Sequence, residues 1–302
     1  MSVSNTRPLI RIPQMRPATA AAPPTADEAE LGRFVLDHPG LLVLTGAGMS
    51  TGSGIPAYRD ADGQWLRRDP ILFQDFIASA LVRRRYWARS YFGWRLMQQA
   101  SPNAAHRALV RLERLGRLSL LVTQNVDGLH ARAGSLSLVE LHGRLARVRC
   151  LQCGAGCERD QVQQRLEALN PDWRPEVLGY NPDGDAELDA SAYPGFRVAD
   201  CTRCGGPLKP DVVFFGEPVP QGRAQAVADA IARSSAVLVV GSSLVVMSGY
   251  RIVRQAAAAG LPIVAINDGR TRADELLRFK VGGDCVGVLA RLGAQIDGAA
   301  AA

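Results

Sequence analysis

Lysine is almost missing from this chain: Lys209 and Lys280 are the only two, and the other 33 basic residues are arginine. The formal charge is +6, from 35 basic against 29 acidic residues, and Arg7, Arg11 and Arg16 contribute three of those charges within the first 26 residues. About +3 remains for everything else, too small a surplus to indicate nucleic-acid binding from charge alone. Set in Ala-rich text, the arginine excess reads as compositional bias before phosphate recognition. No stretch approaches the roughly 20 apolar residues needed to cross a bilayer. The longest apolar runs, such as Ala236 to Val240, have strand length and stop at Gly or Ser. There is no internal repeat.

The first 26 residues contain no Asp or Glu and no continuous apolar core, which excludes a secretory signal. They read as a disordered tail, with an organellar transit peptide as the alternative. Six cysteines in so long a chain do not form the framework of a small disulfide-stapled domain, because four of them fall in two Cys-x-x-Cys pairs. A reducing compartment follows: the cytoplasm, or the mitochondrial matrix if the leader is a transit peptide.

What is present is an alternation of buried strands and helices. Residues 41–45 (LLVLT) predict a strand running into a Gly-rich turn. Asn103 to Arg117 predicts a helix with an apolar stripe of Leu109, Leu112 and Leu115. Strands follow over Leu118 to Thr123 and Ser137 to Leu141. Further along come a helix at Gly222 to Arg233, a strand at Ala236 to Val240, a helix at Ser248 to Ala259 and a strand at Pro262 to Ile266. Such alternation argues for an α/β fold around a mainly parallel sheet covered on both faces. Two stretches interrupt it: residues 60–100, rich in Arg and aromatics and helical in character, and residues 147–210, which hold the cysteine pairs and have weak periodicity. The domain reading is therefore a sheet domain over 27–59, 101–146 and 211–295, with two insertions and a C-terminal tail at 296–302.

Cys150-x2-Cys153 and Cys201-x2-Cys204 are two knuckles whose four thiolates suit one tetrahedral zinc ion. A structural zinc contributes on the order of 10–16 kcal/mol in isolated fingers, enough to fold a segment poor in apolar residues. Four thiolates leave no open position, so the site is structural rather than catalytic. The alternative of a redox dithiol needs only one pair. A nucleic-acid zinc ribbon is disfavoured by the acidic text between the pairs, and no role falls to Cys157.

Gly46-Ala47-Gly48 after a buried strand begins a turn in which small residues let the backbone approach a pyrophosphate. It is not a dehydrogenase fingerprint, because the next glycine, Gly52, comes four residues after Gly48 and no acidic strand end follows at the usual distance. The other strand ends are polar: Gln124, Asn125 and Asp127; His142; Gly241, Ser242 and Ser243; Asn267 and Asp268. In an open α/β sheet, carboxyl ends of strands line the ligand crevice, so these ends describe one site.

In these segments the chain resembles the sirtuins from about Leu41 to Leu289. The matching text is GAGMSTGSGIPAYR (46–59), TQNVDGLH (123–130), ELHG (140–143), both cysteine pairs, KPDVVFFGE (209–217), GSSL (241–244) and IND (266–268). NPDGD between the pairs, RYWARSYFGW (85–94) and the Cys285 ending look most like the class II branch, which includes a mitochondrial member. The resemblance implies a Rossmann-like NAD domain, a smaller zinc-binding and helical domain inserted into it, and removal of acyl groups from lysine side chains of proteins at the cost of NAD. It implies that Gly46, Ala47, Gly48, Ser50, Tyr58 and Arg59 hold the phosphate and ribose side of NAD. Ile55, Asn125 and Asp127 then line the nicotinamide pocket, with Asn125 and Asp127 counted as catalytic beside His142, and Gln124 touches the ribose. Gly241, Ser242, Ser243, Asn267, Asp268, Gly269 and Cys285 surround the adenosine end. Val213, Phe214, Phe215, Gly216 and Glu217 pair with an extended substrate peptide as an added strand. In that chemistry the acyl oxygen attacks the ribose as nicotinamide leaves, and a base then activates a ribose hydroxyl. His142 holds the family's position for the base, a task suited to a side chain that titrates near neutrality. His106 and His130 read as structural hydrogen-bonders.

Ala57 departs from the family, which usually has Asp in that position. Two alternatives to deacylation stay open at this point: mono-ADP-ribosyl transfer to protein, and a zinc-ribbon module with a vestigial NAD pocket, for which Ala57 is the only hint. A succinyl- or malonyl-selective member carries a Tyr-x-x-Arg pair in the helical insertion. Tyr91 is followed three residues on by Trp94, so acidic acyl groups are expected to be poor substrates. The sequence does not fix an oligomeric state.

Overall fold

The structure is a computed structural model that describes residues 22–56, 70–181 and 185–301, with side chains described as far as residue 296. Ala57, Tyr58 and Arg59, together with most of the N-terminal tail, lie outside the described residues. Helix α1 (Glu28–Asp37) leads to strand β1 (Leu41–Thr45) and a 3-10 turn over Ala47–Ser53. After it come α2 (Phe73–Ala78), α3 (Ala80–Gln99), α4 (Ala104–Arg114), β2 (Leu118–Thr123), α5 (Leu129–Ala133) and β3 (Leu138–Glu140). The cysteine region holds β4 (Gly143–Cys150), β5 (Gly156–Glu158), α6 (Arg159–Leu169), β6 (Val177–Tyr180), β7 (Ala186–Leu188) and β8 (Leu208–Val212). The chain returns to α/β alternation with α7 (Gln221–Arg233), β9 (Ala236–Val240), α8 (Met247–Ala258), β10 (Ile263–Ile266), β11 (Phe279–Val281) and α9 (Cys285–Ala301).

Six of these strands form a parallel sheet in the order β11-β10-β9-β1-β2-β3. Strand residues alternate between faces, so β1 sends Leu41 and Val43 to one side and Leu42 and Leu44 to the other. The first set packs on α1, α4 and α9 through Phe34, Leu109 and Leu292, and the second on α7 and α8 through Ile231 and Ile252. Being covered on both faces is why these strands read as unbroken apolar runs. From β1 the order proceeds one way to β2 and β3, then resumes on the other side of β1 with β9. The switch point therefore lies between the carboxyl ends of β1 and β9, where open α/β sheets bind ligands.

Helices α2 and α3 and the cysteine region share a second core, built from Phe76, Tyr86, Trp87 and Tyr91 on one side and Val162, Leu166 and Phe196 on the other. Arg159 is buried inside it, its guanidinium 5.2 Å from the Trp87 ring and 5.5 Å from that of Trp94, with Nη2 donating to the Ser90 carbonyl. The cysteine region is thus more regular than its composition suggests, because the aromatics that stabilise it come from residues far away in sequence. α6 and the β6–β7 hairpin escape the sequence reading for that reason. So do the peripheral elements α1, β11 and α9.

Candidate active site

The two loops at the switch point are packed backbone to backbone. Gly48 N–H donates to the Gly241 carbonyl at 2.9 Å and Gly46 N–H to that of Val240 at 3.0 Å. A Cβ on Gly48 would lie 2.8 Å from Gly241 Cα, and one on Gly46 would lie 2.7 Å from Ser242 Cβ. The glycines of the first turn are therefore required by the neighbouring loop. That reason differs from the sequence expectation of close approach to a pyrophosphate.

Between these loops, β3 and the 213–217 segment lies a cavity of about 760 Å³. Its wall includes Gly46, Ala47, Gly48, Gln124, Asn125 and His142 on one side, and Gly241, Ser242, Ser243, Asn267, Asp268, Gly269 and Cys285 on the other. Val213, Phe214, Phe215, Gly216 and Glu217 line its mouth. The fold thus gathers residues from at least seven separate stretches of sequence into one space. Ser50, Ile55 and Asp127 stand outside its lining. Ile55 is buried in an apolar cluster with Trp94, Met97 and Leu129.

Asp127 is tied on both carboxylate oxygens: Ser50 Oγ donates to it at 2.7 Å and Leu129 N–H, at the start of α5, at 2.8 Å. Asn125 Nδ2 donates to Ser50 Oγ at 3.0 Å and to the Gly46 carbonyl at 2.9 Å. The network locks the β1 turn to the end of β2. Burial pushes the Asp127 carboxyl above the ordinary range, while the Leu129 and Ser50 donors oppose that shift.

His142 sits just past β3. Its Nδ1 is 2.9 Å from the Gln124 carbonyl, which only accepts, so Nδ1 carries the proton and Nε2 bears the lone pair. Ser248 Oγ, in the first turn of α8, lies 2.7 Å from Nε2 and donates to it. Burial pushes the imidazole down to about 4, against the opposing pull of the Gln124 hydrogen bond and with a small push from Arg223 in the same direction. His142 is consequently a neutral base at pH 7. Gln124 is itself fixed, its Nε2 donating to Ser242 Oγ at 2.9 Å, and a Cβ on Gly249 would clash with its Oε1.

The 213–217 segment is a tight turn held from behind. Val213 N–H donates to the His142 carbonyl at 2.8 Å and Phe73 N–H to that of Phe215 at 2.9 Å. Glu217 accepts from Phe214 N–H at 2.9 Å and pairs with buried Lys209 at 2.9 Å. At the adenosine end expected from the sequence, Cys285 Sγ donates to the Gly48 carbonyl at 3.1 Å, and burial pushes that thiol up to about 12. Asn267 Nδ2 donates to the Gly269 carbonyl at 2.8 Å.

The four paired cysteines converge. Their sulfur atoms all lie within 4.8 Å of one another, with Cys150 and Cys204 at 3.5 Å and Cys153 and Cys201 at 3.8 Å. A disulfide needs about 2.05 Å, whereas four sulfurs about 2.3 Å from a central zinc lie about 3.8 Å apart. The donor set and spacing fit a tetrahedral zinc, and the Gln152 and Arg203 amides donate to Cys150 and Cys201 sulfur. Cys157 stays outside the cluster.

Sequence reading missed three things here. Ser248 carried no motif, only its place in the first turn of a helix. Tyr-x-x-Arg does occur, at Tyr86 and Arg89, a little over one helical turn before Tyr91. Its arginine is engaged, with Nε donating to the Ala186 carbonyl at 3.1 Å and Nη2 lying 3.7 Å from Asp185. Tyr86 and Asp185 both line the cavity, so the β6–β7 hairpin of the cysteine region reaches the site.

A doubly covered parallel sheet with a cavity at its switch point and a four-cysteine module inserted beside it defines an α/β protein of the ligand-binding type with a cysteine cluster suited to a metal. Residues 46–248 match the Sir2 family model, and the chain belongs to that family. It is 56% identical over 267 residues to the NAD-dependent protein deacetylase of Bordetella bronchiseptica, covering 88% of this chain and 97% of that protein. It is 51% identical over 269 residues to NAD-dependent protein deacetylase 2 of Bradyrhizobium diazoefficiens, covering 89% and 98%. Among solved structures, a Sir2–p53 peptide–NAD+ complex superposes with a TM-score of 0.72 at 28% identity, covering 90% of this chain and 99% of that one.

Proposed function

We propose that this chain is an NAD-dependent protein-lysine deacylase that releases nicotinamide and O-acyl-ADP-ribose. The observation that carries the reading is His142: a neutral imidazole locked as the Nδ1–H tautomer, its Nε2 lone pair at the wall of the switch-point cavity. The residues fit NAD as co-substrate, since the cavity runs from the β1 turn to the Asn267 end and small residues form both facing loops. Bound NAD supplies the electrophilic ribose carbon and the nicotinamide leaving group.

Gly46, Ala47 and Gly48 hold the phosphate and ribose side, to which Tyr58 and Arg59, outside the described residues, are also assigned. Gly241, Ser242, Ser243, Asn267, Asp268, Gly269 and Cys285 take the adenosine, and Gln124 the ribose. Asn125 faces nicotinamide, and Ile55 packs outside the cavity lining in its apolar cluster. Asp127 and Ser50 keep Asn125 and the β1 turn in register through their hydrogen bonds. The acyl-lysine enters past Val213 to Glu217, whose internal bonds pre-order the edge that receives the peptide. His142 Nε2 is the final acceptor of the proton released as the hydroxyl attacks the acyl carbon, and low basicity keeps it unprotonated until that step. The four cysteines hold one structural zinc.

The test is mass spectrometry of products from purified protein, NAD and a panel of acyl-lysine peptides, beside His142→Ala. Acyl-ADP-ribose that requires intact His142 is the expected result. ADP-ribose on protein, or no nicotinamide from any peptide, would overturn the reading.

A further inference from the structure

The base has a second partner that the proposed chemistry must account for. With Nδ1–H committed to the Gln124 carbonyl, Nε2 is the only nitrogen of His142 able to take a proton, and the Ser248 hydroxyl already occupies it at 2.7 Å. An imidazole nitrogen offers one in-plane lone pair, so a reacting hydroxyl cannot take the same position while Ser248 remains there. Both side chains line the cavity. Ser248 belongs to the first turn of α8, and Gly249 beside it lets that turn close onto Gln124, where any side chain would clash. The serine is therefore held against the base by the same residue that fixes the base's tautomer. A hydroxyl donates one hydrogen and accepts on two lone pairs, so Ser248 Oγ accepts a second hydrogen bond without releasing Nε2.

We propose that Ser248 is a catalytic hydroxyl that relays the proton between the reacting substrate hydroxyl and His142. This rests on the deacylase reading and deepens it. Ser248 Oγ receives the proton of the substrate hydroxyl as its own proton passes to His142 Nε2. The substrate O–H bond breaks and leaves its electron pair on oxygen, which forms the new bond to the acyl carbon as the π pair of that carbon's double bond moves onto the lysine nitrogen. His142 ends as imidazolium with one added proton, and Ser248 is unchanged. The positive end of α8 beside the base favours its neutral state before the transfer.

Two measurements on the full chain test the relay. In the unliganded protein, 15N NMR of the His142 ring is expected to show Nε2 as a hydrogen-bonded acceptor. Ser248→Ala moves that resonance toward a lone pair without a donor, and Ser248→Thr restores it. An Nε2 resonance unchanged in Ser248→Ala overturns the proposal. With NAD and an acetyl-lysine peptide, Ser248→Ala is expected to lower acyl-ADP-ribose formation about 10- to 100-fold, within the range of a general acid–base contribution. Nicotinamide exchange, which precedes the proton transfer, declines far less, and Ser248→Thr recovers most of the product. Equal losses in both reactions would mark a structural role and overturn the relay, as would unimpaired product formation. Absence of nicotinamide release from the wild-type chain overturns the deacylase reading and the relay with it. Wild-type release beside an indifferent Ser248→Ala overturns the relay alone.

Discussion

Gly241 shows how tightly single residues are specified at the switch point. Its φ of +57° lies in the left-handed region, and a Cβ there would meet Met49 N at 2.8 Å and Gly48 Cα at 2.9 Å. Neither neighbour can yield, because both are backbone within the turn that Gly48 N–H pins to Gly241. Gly241→Ala therefore combines left-handed strain with overpacking and is expected to cost about 2–4 kcal/mol in denaturant unfolding. A loss below about 0.5 kcal/mol would show that the two loops separate freely. Glycines such as Gly40 and Gly116 also have positive φ, but a Cβ there meets open space, so only the conformational part of the cost applies.

Among the elements, the four-cysteine cluster depends on two knuckles arriving from opposite ends of the inserted region. Antiparallel pairing of β4 with β8 sets Cys150 opposite Leu208, and this brings the second pair alongside the first. One zinc per chain is expected, measured by metal analysis of protein purified without added metal. Cys201→Ser should lower that stoichiometry and the unfolding temperature together. Full thermal stability without metal would show that the aromatic core shared with α2 and α3 suffices alone. Because the β6–β7 hairpin of this region carries Asp185 to the cavity wall, metal removal is also expected to reduce deacylation without touching any residue beside His142.

For the molecule as a whole, three desolvated imidazoles, two buried and one half-buried, set the response to acid. Burial lowers His106 to about 4, His130 to about 3 and His142 to about 4, from an ordinary value of 6.5. Below 6.5 the unfolded chain takes up protons that the folded chain refuses until the lower values are reached. Their stabilising effect is thus complete above pH 6.5 and lost as pH falls through the window to about 4 for His106 and His142 and to about 3 for His130. The unfolding temperature should decline between pH 6.5 and 5, before most carboxylates titrate; a flat profile there would contradict neutral burial. The shape of the whole cavity also governs acyl choice. Asp185 adds a carboxylate to the cavity wall, and Arg89 is already committed to it and to the Ala186 carbonyl. Desuccinylation is expected to be about ten-fold or more slower than deacetylation in kcat/KM, from the cost of like charges brought together. Faster desuccinylation would mean that Arg89 is released toward the substrate.

Five of the six strands of the sheet, the zinc knuckles and the polar strand ends were legible in the sequence, because each rests on a local rule. A strand buried on both faces is an apolar run, a thiolate knuckle is a fixed spacing, and a crevice gathers the residues that follow strands. Whatever depends on contact between distant residues was settled only by the tertiary structure. The order of strands around β1 set which loops face each other, and so gave Gly46 and Gly48 a packing partner in Gly241 and Ser242. The shared core of Trp87, Phe196 and Arg159 gave regular structure to a region whose own text lacks periodicity. The meeting of Ser248 with His142 joins residues 106 positions apart, for which no local pattern exists. Local sequence encodes which groups are available; the packing of elements decides which of them touch.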